Sequence, residues 1–382
     1  MRVMMSCGEP SGDLYAAALA RELYRLAPDT IVTGFGGQRL RAAGARLTDD
    51  FSGLSVTGLV EVARLLPKTF ATYRRLVADA RANRPDVFVA IDFPDFNFRL
   101  AHAVRRLGVP VVYYISPQLW AWRPGRMKTM KHIADRVLVI FPFEEGIYRE
   151  AGVSATWVGH PLLDELPAPR PRSDLREQFG VAGDDRLVAL LPGSRANEVT
   201  QILPTLVDAA SLVRARHRAA TFVVARAPHL ADRLFEPLAR LNGAPARVVE
   251  GMTDDVLAAA DVALVASGTV TVQAAIHECP MVVVYRLAPL TYRLGKPFVR
   301  VDTYAMANLV AGRRVVPELI QERFTAEAVA DEALDILTND ARAKRMKMEL
   351  RDVRHRLGER GASARAASEV LDVVRSRRGT VG

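Results

Sequence analysis

Two carboxylates and an asparagine follow a short apolar segment in the first half of the chain, in the run Asp92-Phe93-Pro94-Asp95-Phe96-Asn97. Residues 86–91 before them have the length and composition of a buried strand. The Phe-Pro pair would fix the loop of Asp92 and shelter its carboxylate from water. A carboxylate partly withdrawn from water has a raised pKa and can accept a proton from a substrate hydroxyl. Asp92 is therefore a candidate general base; in the alternative interpretation it makes a structural hydrogen bond and Asp95 caps the next helix.

A second pattern lies in the other half of the chain, where the apolar residues 187–191 precede Pro192-Gly193-Ser194-Arg195. A strand, a tight turn and a helix in that order leave free backbone N–H groups at the helix start, which suit a phosphate. Arg195 adds a planar cation that can hold phosphate oxygens at two points. The alternative is an ordinary turn with Ser194 as the helix N-cap and Arg195 in solvent.

The turn Ser267-Gly268-Thr269 repeats this arrangement after the apolar residues 262–265 and opens a helix that contains Gln273. Small hydroxyl residues and glycine at a helix start again offer N–H groups to an anion. Two such turns on one sheet fit a diphosphate better than either turn alone. Further polar candidates stand near the end of this half, at Asn308, Glu318 and Gln321.

Residues 7–13 form a glycine-rich turn between a predicted strand over 1–6 and a helix. Gly8 and Gly12 would allow the backbone to approach a ligand closely, and Ser11 and Asp13 could cap the helix. The acidic residues of this turn suit a sugar hydroxyl or the acceptor end of a substrate better than a phosphate. The alternative is a capped tight turn with no ligand.

Two of the three tryptophans fall in one loop, Ser116-Pro117-Gln118-Leu119-Trp120-Ala121-Trp122, after a predicted strand over 110–115. Such a loop could line a pocket for a lipid substrate, stack on a sugar or take up a base. Gln118 and Trp120 are its candidate contact residues.

The elements that must position these side chains alternate between strand and helix in both halves, which predicts a parallel sheet with helices on both faces, once in each half. A linker with three prolines, residues 166–172, divides the halves. The predicted strands cover residues 1–6, 30–35, 86–91, 110–115 and 136–141 in the first half, and 187–191, 221–225, 246–249, 262–265 and 281–284 in the second.

The length and net charge of the chain indicate how many domains it has and which kinds of partner it can bind. A chain of 382 residues predicts two domains, and its net charge of +9 favours an anionic partner: nucleic acid, a phosphorylated substrate or an anionic membrane surface. Cys7 and Cys279 are expected to be buried free thiols in a reducing compartment. With neither a leader pattern nor an apolar run of membrane-spanning length, we expect a cytoplasmic protein whose membrane contact is peripheral. The histidine spacing predicts no metal site.

Residues 56–84 combine apolar residues at helical spacing with several arginines around Pro67. A pair of basic amphipathic helices can lie on an anionic bilayer. The alternative is a pair of domain helices whose apolar side belongs to the core.

Several long motifs resemble those of the lipid-A-disaccharide synthase family, in order from residue 3 to about residue 322. They are Gly8-Glu9-Pro10-Ser11-Gly12-Asp13, Ile91-Asp92-Phe93-Pro94-Asp95-Phe96-Asn97, the Ser116–Trp122 loop, Leu191-Pro192-Gly193-Ser194-Arg195, Ala266-Ser267-Gly268-Thr269 and Asn308-Leu309-Val310-Ala311-Gly312-Arg313.

The resemblance implies a GT-B glycosyltransferase with two Rossmann-like, doubly wound α/β domains that face a cleft. Residues 1–165 would form the acceptor and membrane-facing domain and 166–344 the UDP-sugar domain, while the helices of about 345–382 could pack on the first domain. The implied reaction joins UDP-2,3-diacylglucosamine to 2,3-diacylglucosamine 1-phosphate, with inversion, and releases UDP. It implies the cytoplasmic face of the inner membrane, contacted through residues 59–77, and a homodimer that exchanges its C-terminal helices.

By this likeness Asp92 is the base and Arg195 stabilises the departing UDP, with no cofactor, no metal and no nucleic-acid partner. The residues implied to bind substrate are Gly8, Ser11, Gly12, Asp13, Asp95, Asn97, Gln118, Trp120, Ser194, Glu198, Ser267, Gly268, Thr269, Gln273, Asn308, Glu318 and Gln321.

One residue departs from the family pattern. Related enzymes usually have a glutamate on the helix after the Ser-Gly-Thr turn, where this chain has Gln273. An amide has one acceptor oxygen for the ribose hydroxyls, so we expect weaker nucleotide binding, or a substitute role for Glu278 or Glu318. Two alternatives stay open: another UDP-sugar enzyme, such as an epimerase or a transferase with a soluble acceptor, and a basic protein without enzymatic activity that binds nucleic acid or membranes.

Overall fold

The computed structural model describes residues 1–51, 59–122, 125–241, 246–287 and 303–379 of the chain. These residues form two compact units. The first unit contains residues 1–165 and 357–379, and the second contains the described residues between 166 and 356.

The first unit is built on a parallel sheet of seven strands. They are β1 Arg2–Ser6, β2 Ile31–Gly36, β3 Arg46–Asp50, β4 Val87–Ile91, β5 Val111–Tyr114, β6 Arg136–Val139 and β7 Ala155–Trp157. Their order in the sheet is β3-β2-β1-β4-β5-β6-β7. All five residues of β4 are buried, as expected for a central strand with helices on both faces.

Helices of the first unit connect these strands. They are α1 Pro10–Leu26, α2 Gln38–Ala42, α3 Leu59–Asn83, α4 Pro94–Arg105, α5 Leu119–Trp122, α6 Arg126–Ile133, α7 Pro142–Glu150 and a 3₁₀ turn Pro161–Leu163. Every strand pair in this sheet is parallel, so each connection must cross from one end of the sheet to the other.

The second unit repeats this architecture with six parallel strands. They are β8 Arg186–Leu191, β9 Ala220–Arg226, β10 Ala246–Glu250, β11 Val262–Ala266, β12 Met281–Tyr285 and β13 Glu318–Ile320. Their order is β10-β9-β8-β11-β12-β13. The helical segments are α8 Arg172–Gln178, α9 Ala196–Arg216, 3₁₀ Asp232–Leu241, α10 Thr253–Ala259, α11 Val270–Ile276, α12 Met306–Ala311, 3₁₀ Gln321–Arg323, α13 Ala326–Thr338 and α14 Asp340–Arg356.

The doubly wound α/β class predicted for each half is confirmed by these two sheets. Each of the ten strands predicted from the sequence has a counterpart, and the structure adds three that the sequence analysis missed: β3, β7 and β13. All three lie at an edge of their sheet, where a strand has one paired neighbour. Edge strands are often short and polar, so they lack the apolar run used to predict a buried strand.

The last two helices belong to different units. α14 lies in the second unit, where Arg351 pairs with Glu278 and Arg313 with Glu349. The terminal helix α15, Ala362–Gly379, packs on α1 in the first unit. The helices of about 345–382 were expected as candidates to pack on the first domain; α15 belongs to the first unit, whereas α14, which ends at residue 356, belongs to the second.

Helix α3 runs without interruption through Pro67, so the pair of helices predicted for residues 56–84 is a single helix here. Residues 52–58 and the side chains of residues 59–65 lie outside the described part of the chain. None of the helices in the described ranges combines the length and the apolar character needed to cross a bilayer.

Candidate active site

The first sheet changes its winding direction between β1 and β4, which are adjacent strands. From β1 the chain proceeds to β2 on one side, and from β4 it proceeds to β5 on the other. Open α/β sheets bind ligands beyond the carboxyl ends of the strands at such a switch point. The loops at this position begin at Cys7, after β1, and at Asp92, after β4, so Asp92 stands where a ligand is expected.

Asp92 and Phe93 both adopt left-handed backbone conformations, with φ angles of 45° and 50°. Such conformations cost on the order of 1–3 kcal/mol each in a residue with a side chain, and they persist when surrounding contacts fix them. Here the Asp92 carbonyl oxygen accepts hydrogen bonds from Asn97 Nδ2 at 2.8 Å and from the Tyr113 hydroxyl at 2.9 Å. The Asp92 N–H donates to the carbonyl oxygen of Tyr114 at 3.2 Å.

Two buried phenols lie within electrostatic reach of the partly buried Asp92 carboxylate. Burial raises the pKa of Tyr15, and the charge of Asp92 raises it further. The same two causes, in the same order, raise the pKa of Tyr113 well above its usual value. Both phenols therefore stay protonated at neutral pH and can serve as donors near Asp92. The sequence analysis identified neither tyrosine, because each lies within an ordinary apolar segment.

Asn97 is fully buried and all of its contacts are to the protein. Its Nδ2 donates to the carbonyl oxygens of Ser6, Ile91 and Asp92, and its Oδ1 accepts from the Ser6 hydroxyl at 2.6 Å. It thus ties the end of β1 to the loop after β4, on the two sides of the switch point. These contacts fix the backbone of the Asp92 loop against the end of β1. Asp95, in contrast, is exposed and pairs with Arg126 at 2.6 Å.

Gly8 and Phe93 pack against each other across the switch point. A Cβ atom on Gly8 would lie 2.4 Å from the Phe93 ring, so only glycine fits this position without a shift of the ring. The sequence analysis expected Gly8 to admit a ligand, whereas the structure places the Phe93 side chain against it. Gly12 is buried within α1, where an added Cβ would lie 3.2 Å from Cys7 Cβ.

Asp13 stabilises a neighbouring helix rather than its own. Helix α1 begins at Pro10 with Glu9 at its N-cap position, so Ser11 and Asp13 lie inside the helix and the predicted capping of α1 by these two residues is wrong. The buried Asp13 carboxylate accepts hydrogen bonds from the N–H groups of Gly37, Arg39 and Leu40 at the start of α2. The proline fixes the start of α1 because its ring pre-sets the first helical φ and it has no N–H to cap.

The loop after β5 carries Gln118 and Trp120, both partly buried. It begins at Ile115, whose φ of 56° is again left-handed. The Trp120 indole Nε1 donates to Glu144 Oε1 at 3.3 Å, and the indole meets the Phe143 ring edge-on with centroids 5.2 Å apart. Sequence analysis missed Glu144, since an acidic residue in the first turn of a helix is ordinary.

In the second sheet the winding reverses between β8 and β11. The loops at this switch point are the two turns predicted to bind a diphosphate, Pro192–Arg195 and Ser267–Thr269. The two turns were expected to lie on one sheet, and they are neighbours because β8 and β11 are adjacent strands. At the second turn, the Ser267 hydroxyl donates to the carbonyl oxygen of Tyr304 at 3.2 Å, and Thr269 precedes the first residue of α11.

At the first turn, Glu198 contacts the groups expected to hold a phosphate. Its Oε2 accepts from the N–H of Ser194 at 3.0 Å and of Arg195 at 3.3 Å, and its Oε1 accepts from Arg195 Nη1 at 2.9 Å. A Cβ on Gly193, whose φ is 123°, would lie 2.6 Å from Glu198 Oε2. The helix N-cap is Arg195, so the prediction that Ser194 caps α9 is wrong. The helix start does attract an anion, and here the anion is a side chain.

Gln273 lies on α11 with its Nε2 3.5 Å from Asp254 Oδ1, and His277 Nε2 approaches the same oxygen at 2.9 Å. The carboxylate beside Gln273 is therefore Asp254, in the first turn of α10. Glu278, suggested as a substitute, follows the C-terminal end of α11 and pairs with Arg351 and Arg354.

The other suggested substitute, Glu318, is buried within the second unit. Its carboxylate accepts from the N–H groups of Tyr304 and Ala305 and from Asn308 Nδ2 at 2.7 Å. Asn308 Oδ1 in turn accepts from the N–H groups of Val315 and Val316. These two side chains hold the segment before β13. Gln321 follows β13 with a left-handed φ of 55°, and its buried Nε2 has no hydrogen-bond partner among the described residues.

Among the side chains that the structure describes, no three His, Cys, Asp or Glu residues come together as a metal site requires. Cys7 and Cys279 are buried free thiols, as predicted.

Comparison with known proteins identifies the family to which this chain belongs. The model of the lipid-A-disaccharide synthetase family matches residues 3–371. The lipid-A-disaccharide synthase of Myxococcus xanthus is 42% identical over 373 residues, which is 98% of this chain and 97% of that protein. The synthase of Geobacter sulfurreducens is 40% identical over 376 residues, again 98% and 97% of the two chains.

Solved structures share the fold at much lower identity. A UDP-GlcNAc 2-epimerase from Neisseria meningitidis, bound to UDP-GlcNAc, superposes with a TM-score of 0.70 at 12% identity and covers 97% of this chain and 100% of its own. The calicheamicin glycosyltransferase CalG4 gives a TM-score of 0.62 at 18% identity and covers 98% of both chains. The fold is thus of the GT-B type, which epimerases and glycosyltransferases share, and the fold alone does not separate these activities.

Proposed function

The chain belongs to the lipid-A-disaccharide synthase family, and from this glycosyltransferase activity on lipid-linked sugars we propose the specific reaction. The donor is UDP-2,3-diacylglucosamine and the acceptor is 2,3-diacylglucosamine 1-phosphate. The acceptor hydroxyl oxygen attacks the anomeric carbon, the bond from that carbon to the UDP oxygen breaks, and the configuration inverts. The products are the β-linked lipid A disaccharide 1-phosphate and UDP.

The observation that carries this proposal is the Asp92 loop at the switch point of the first sheet. Three hydrogen bonds to its N–H and carbonyl groups hold the Asp92 backbone in a strained conformation. In this proposal the fixed backbone positions the carboxylate before substrate arrives. We assign it the proton of the attacking hydroxyl, a role worth about 10²–10⁴ in rate for a positioned base. In this proposal Asn97 holds the Asp92 loop and Asp13 holds the start of α2, and neither side chain contacts substrate.

In the second unit we assign the UDP diphosphate to the turns at Ser194–Arg195 and Ser267–Thr269. Arg195 and the backbone N–H groups would balance the charge that develops on the departing UDP. Glu198 engages the same groups, so the diphosphate must share or replace this carboxylate as their anionic partner. Gln273, next to Asp254, is the proposed contact to the ribose.

The exposed side of α3 supports a proposed contact with the cytoplasmic face of the inner membrane. Leu66 and Phe70 are 58% and 60% exposed, while Thr72, Leu76 and Ala80 further along the helix are buried. Lys68 and Arg74 are exposed near the two apolar side chains. In this proposal Leu66 and Phe70 offer an apolar surface beside basic residues to the lipid, while residues 72–80 of the same helix contribute buried side chains to the first unit.

The resemblance also suggests a homodimer that exchanges C-terminal helices. The contacts available for such an exchange are those of α15 with the first unit: Asp164 accepts from the N–H groups of Gly361 and Ser363, and Arg365 Nε donates to the carbonyl oxygen of Val158. We propose that these contacts form either within one chain or between two chains. Sedimentation velocity across a range of concentrations tests this point.

Product analysis tests the proposed reaction. The purified protein is incubated with UDP-2,3-diacylglucosamine and either the diacylated or a non-acylated acceptor, and products are identified by mass spectrometry. We expect a disaccharide 1-phosphate and one UDP per transfer with the diacylated acceptor. Transfer to the non-acylated acceptor at an equal rate would contradict the acyl specificity. An isomerised UDP-sugar formed without acceptor would indicate an epimerase, and DNA binding without turnover would indicate the nucleic-acid alternative.

A further inference from the structure

Glu144 is a buried carboxyl group in the first unit, next to the Ser116–Trp122 loop that follows β5. It is 1% exposed and sits in the first turn of α7. Its Oε1 accepts from Trp120 Nε1 and its Oε2 accepts from the N–H of Phe141, both at 3.3 Å. Both groups are donors, so both contacts favour a carboxylate over a carboxylic acid. Trp120 is a proposed substrate contact, and Glu144 is the side chain that bonds to its indole.

Aromatic rings surround this contact. The Trp120 indole meets Phe143 edge-on, and Phe143 stacks on Phe141 with centroids 5.8 Å apart. In the described part of the chain no ion pair joins Glu144 to a cation. The indole N–H bond is therefore one directional link between α7 and the loop after β5, beside the hydrogen bonds of the Tyr148 hydroxyl to Ser116 and Pro117. A charged acceptor makes the indole bond stronger than a neutral one would.

We propose that Glu144 is a positioning residue whose ionised carboxylate fixes the Trp120 indole for acceptor binding. The proposal rests on the proposed function: it takes Trp120, which the family resemblance implies as a substrate contact, to bind the acceptor of that reaction. Glu144 itself touches neither substrate. It acts by keeping a rotatable aromatic side chain in one orientation, which lowers the ordering cost of binding.

The surroundings make this contact sensitive to pH in the neutral range. Burial raises the pKa of Glu144 to about 7, although the hydrogen bonds from Trp120 and the backbone lower it. Below this pH the carboxyl group is neutral and its bond to the indole weakens. Above it the carboxylate holds the indole. Acceptor binding should therefore tighten as pH rises through 7.

Two other titratable groups near Glu144, Tyr148 and His160, keep their charge state across this range. Tyr148 on the same helix has a pKa raised by burial, and its hydroxyl bonds with Ser116 and the carbonyl oxygen of Pro117. Burial lowers the pKa of His160, whose ring contacts Phe141 and Tyr15, to about 3. Glu145 points to other partners, Arg149 and the N–H of Trp157. Glu144 is thus the group expected to change charge near pH 7.

A simpler interpretation makes Glu144 an ordinary helix cap, because an acid at the third position of a helix commonly accepts the N-cap N–H. Glutamine keeps an oxygen for that bond but cannot be ionised. Replacement of Glu144 by glutamine therefore separates the two interpretations. If Glu144 only caps the helix, the replacement should have little effect. If the ionised carboxylate holds the Trp120 indole, the replacement removes the charge and the response of this contact to pH.

The first experiment follows the contact between Glu144 and the Trp120 indole directly. In a protein with Trp122→Phe and Trp157→Phe, Trp120 is the sole tryptophan, and its fluorescence is recorded from pH 5.5 to 8.5. We expect a transition with a midpoint near pH 7 that disappears with Glu144→Gln and persists with the matched control Glu145→Gln. Circular dichroism confirms that each variant is folded. A transition that survives in Glu144→Gln, or no transition at all, overturns the proposal.

The second experiment measures its effect on the reaction. In the otherwise native enzyme the acceptor KM should fall about three- to tenfold between pH 6 and pH 8, the range expected from strengthening one hydrogen bond. In Glu144→Gln this dependence should be lost, with donor KM unchanged. With Trp120→Phe already present, Glu144→Gln should add nothing. An equal change in donor KM, or an acceptor KM that keeps its pH dependence, overturns the proposal. Absence of disaccharide product from the native enzyme would instead contradict the proposed function.

Discussion

At the scale of single residues, Asn97 shows how a polar side chain in a motif can fix the backbone of a neighbouring loop. Its four hydrogen bonds join β1 to the Asp92 loop, and it is fully buried. The sequence placed Asn97 beside Asp92 but could not show that the amide faces the interior. The sequence likewise could not show that the Asp13 carboxylate faces the interior, where it accepts from the N–H of Gly37 at the start of α2, 24 residues further along the chain.

Replacement of Asn97 by alanine should therefore lower both stability and turnover. We expect a loss of about 2–4 kcal/mol in unfolding free energy, because several buried backbone carbonyls lose their donor. The kcat should fall at least about tenfold, since Asp92 is no longer held, while donor KM changes little. Ser6→Ala removes one of the four bonds and should cost about 1 kcal/mol with kcat nearly unchanged. Equal effects of the two variants on kcat would contradict the positioning role.

Glu144 allows a prediction of stability against pH. Its pKa is about 7 in the folded chain against its ordinary 4.5, so the folded state binds more protons between these values. Stability therefore falls as pH rises through this window. The variant Glu144→Gln has no ionisable group at this position and lacks this pH dependence. Its free energy of unfolding, relative to that of the native protein, should therefore increase by about 2 kcal/mol from pH 5 to pH 8. Urea unfolding at the two pH values measures it, and a difference that stays constant would contradict the buried acid.

At the scale of elements, α3 has one buried side and one exposed side. The exposed Leu66 and Phe70 lie among basic residues, which predicts binding to anionic bilayers. The double variant Leu66→Glu, Phe70→Glu should reduce sedimentation with vesicles that contain anionic lipid by at least about tenfold, because two apolar contacts are lost and two negative charges are added.

Met348 provides the control for this prediction. It is 58% exposed, like Leu66, but lies on α14 in the second unit. Met348→Glu should leave vesicle binding within about twofold of the native value. Equal losses in the two variants would indicate a general charge effect instead of a contact through α3.

The elements also show what sequence patterns can and cannot predict. The buried strands were predictable because both faces of a parallel sheet are covered, which produces continuous apolar runs such as 87–91. The strands β3, β7 and β13 were missed because edge positions tolerate polar residues and only three to five residues pair there. The site loops were predictable from turns after strands, whereas the Glu198 contact depends on a side-chain rotamer that spacing does not reveal.

At the scale of the whole molecule, the chain returns to its first unit after completing the second. The terminal helix α15 buries Ala366, Ala367 and Val370 and packs on α1. A sequence reading could not assign this helix, since a basic amphipathic tail can pack on either unit or on another subunit. Its attachment means that residues far apart in sequence stabilise one core.

Val370→Asp should consequently destabilise the first unit. A buried, unpaired carboxylate costs about 3 kcal/mol or more. Hydrogen exchange should accelerate in α1, residues 10–26, and stay near native rates in α9, residues 196–216, which belongs to the second unit. Arg375→Gln, at a residue with a 74% exposed side chain, is the control and should leave both helices protected. Equal acceleration in α1 and α9 would contradict the assignment of α15 to the first unit.

Turnover by the variant Asp92→Asn tests the central claim, that this carboxylate accepts the proton of the attacking hydroxyl. The amide keeps the shape of the side chain but cannot act as a base. Initial rates with saturating donor and acceptor should fall about 10²- to 10⁴-fold, while UDP binding stays within about threefold of the native value. The exposed Asp29→Asn is the control. A kcat within twofold of the native enzyme would contradict the account.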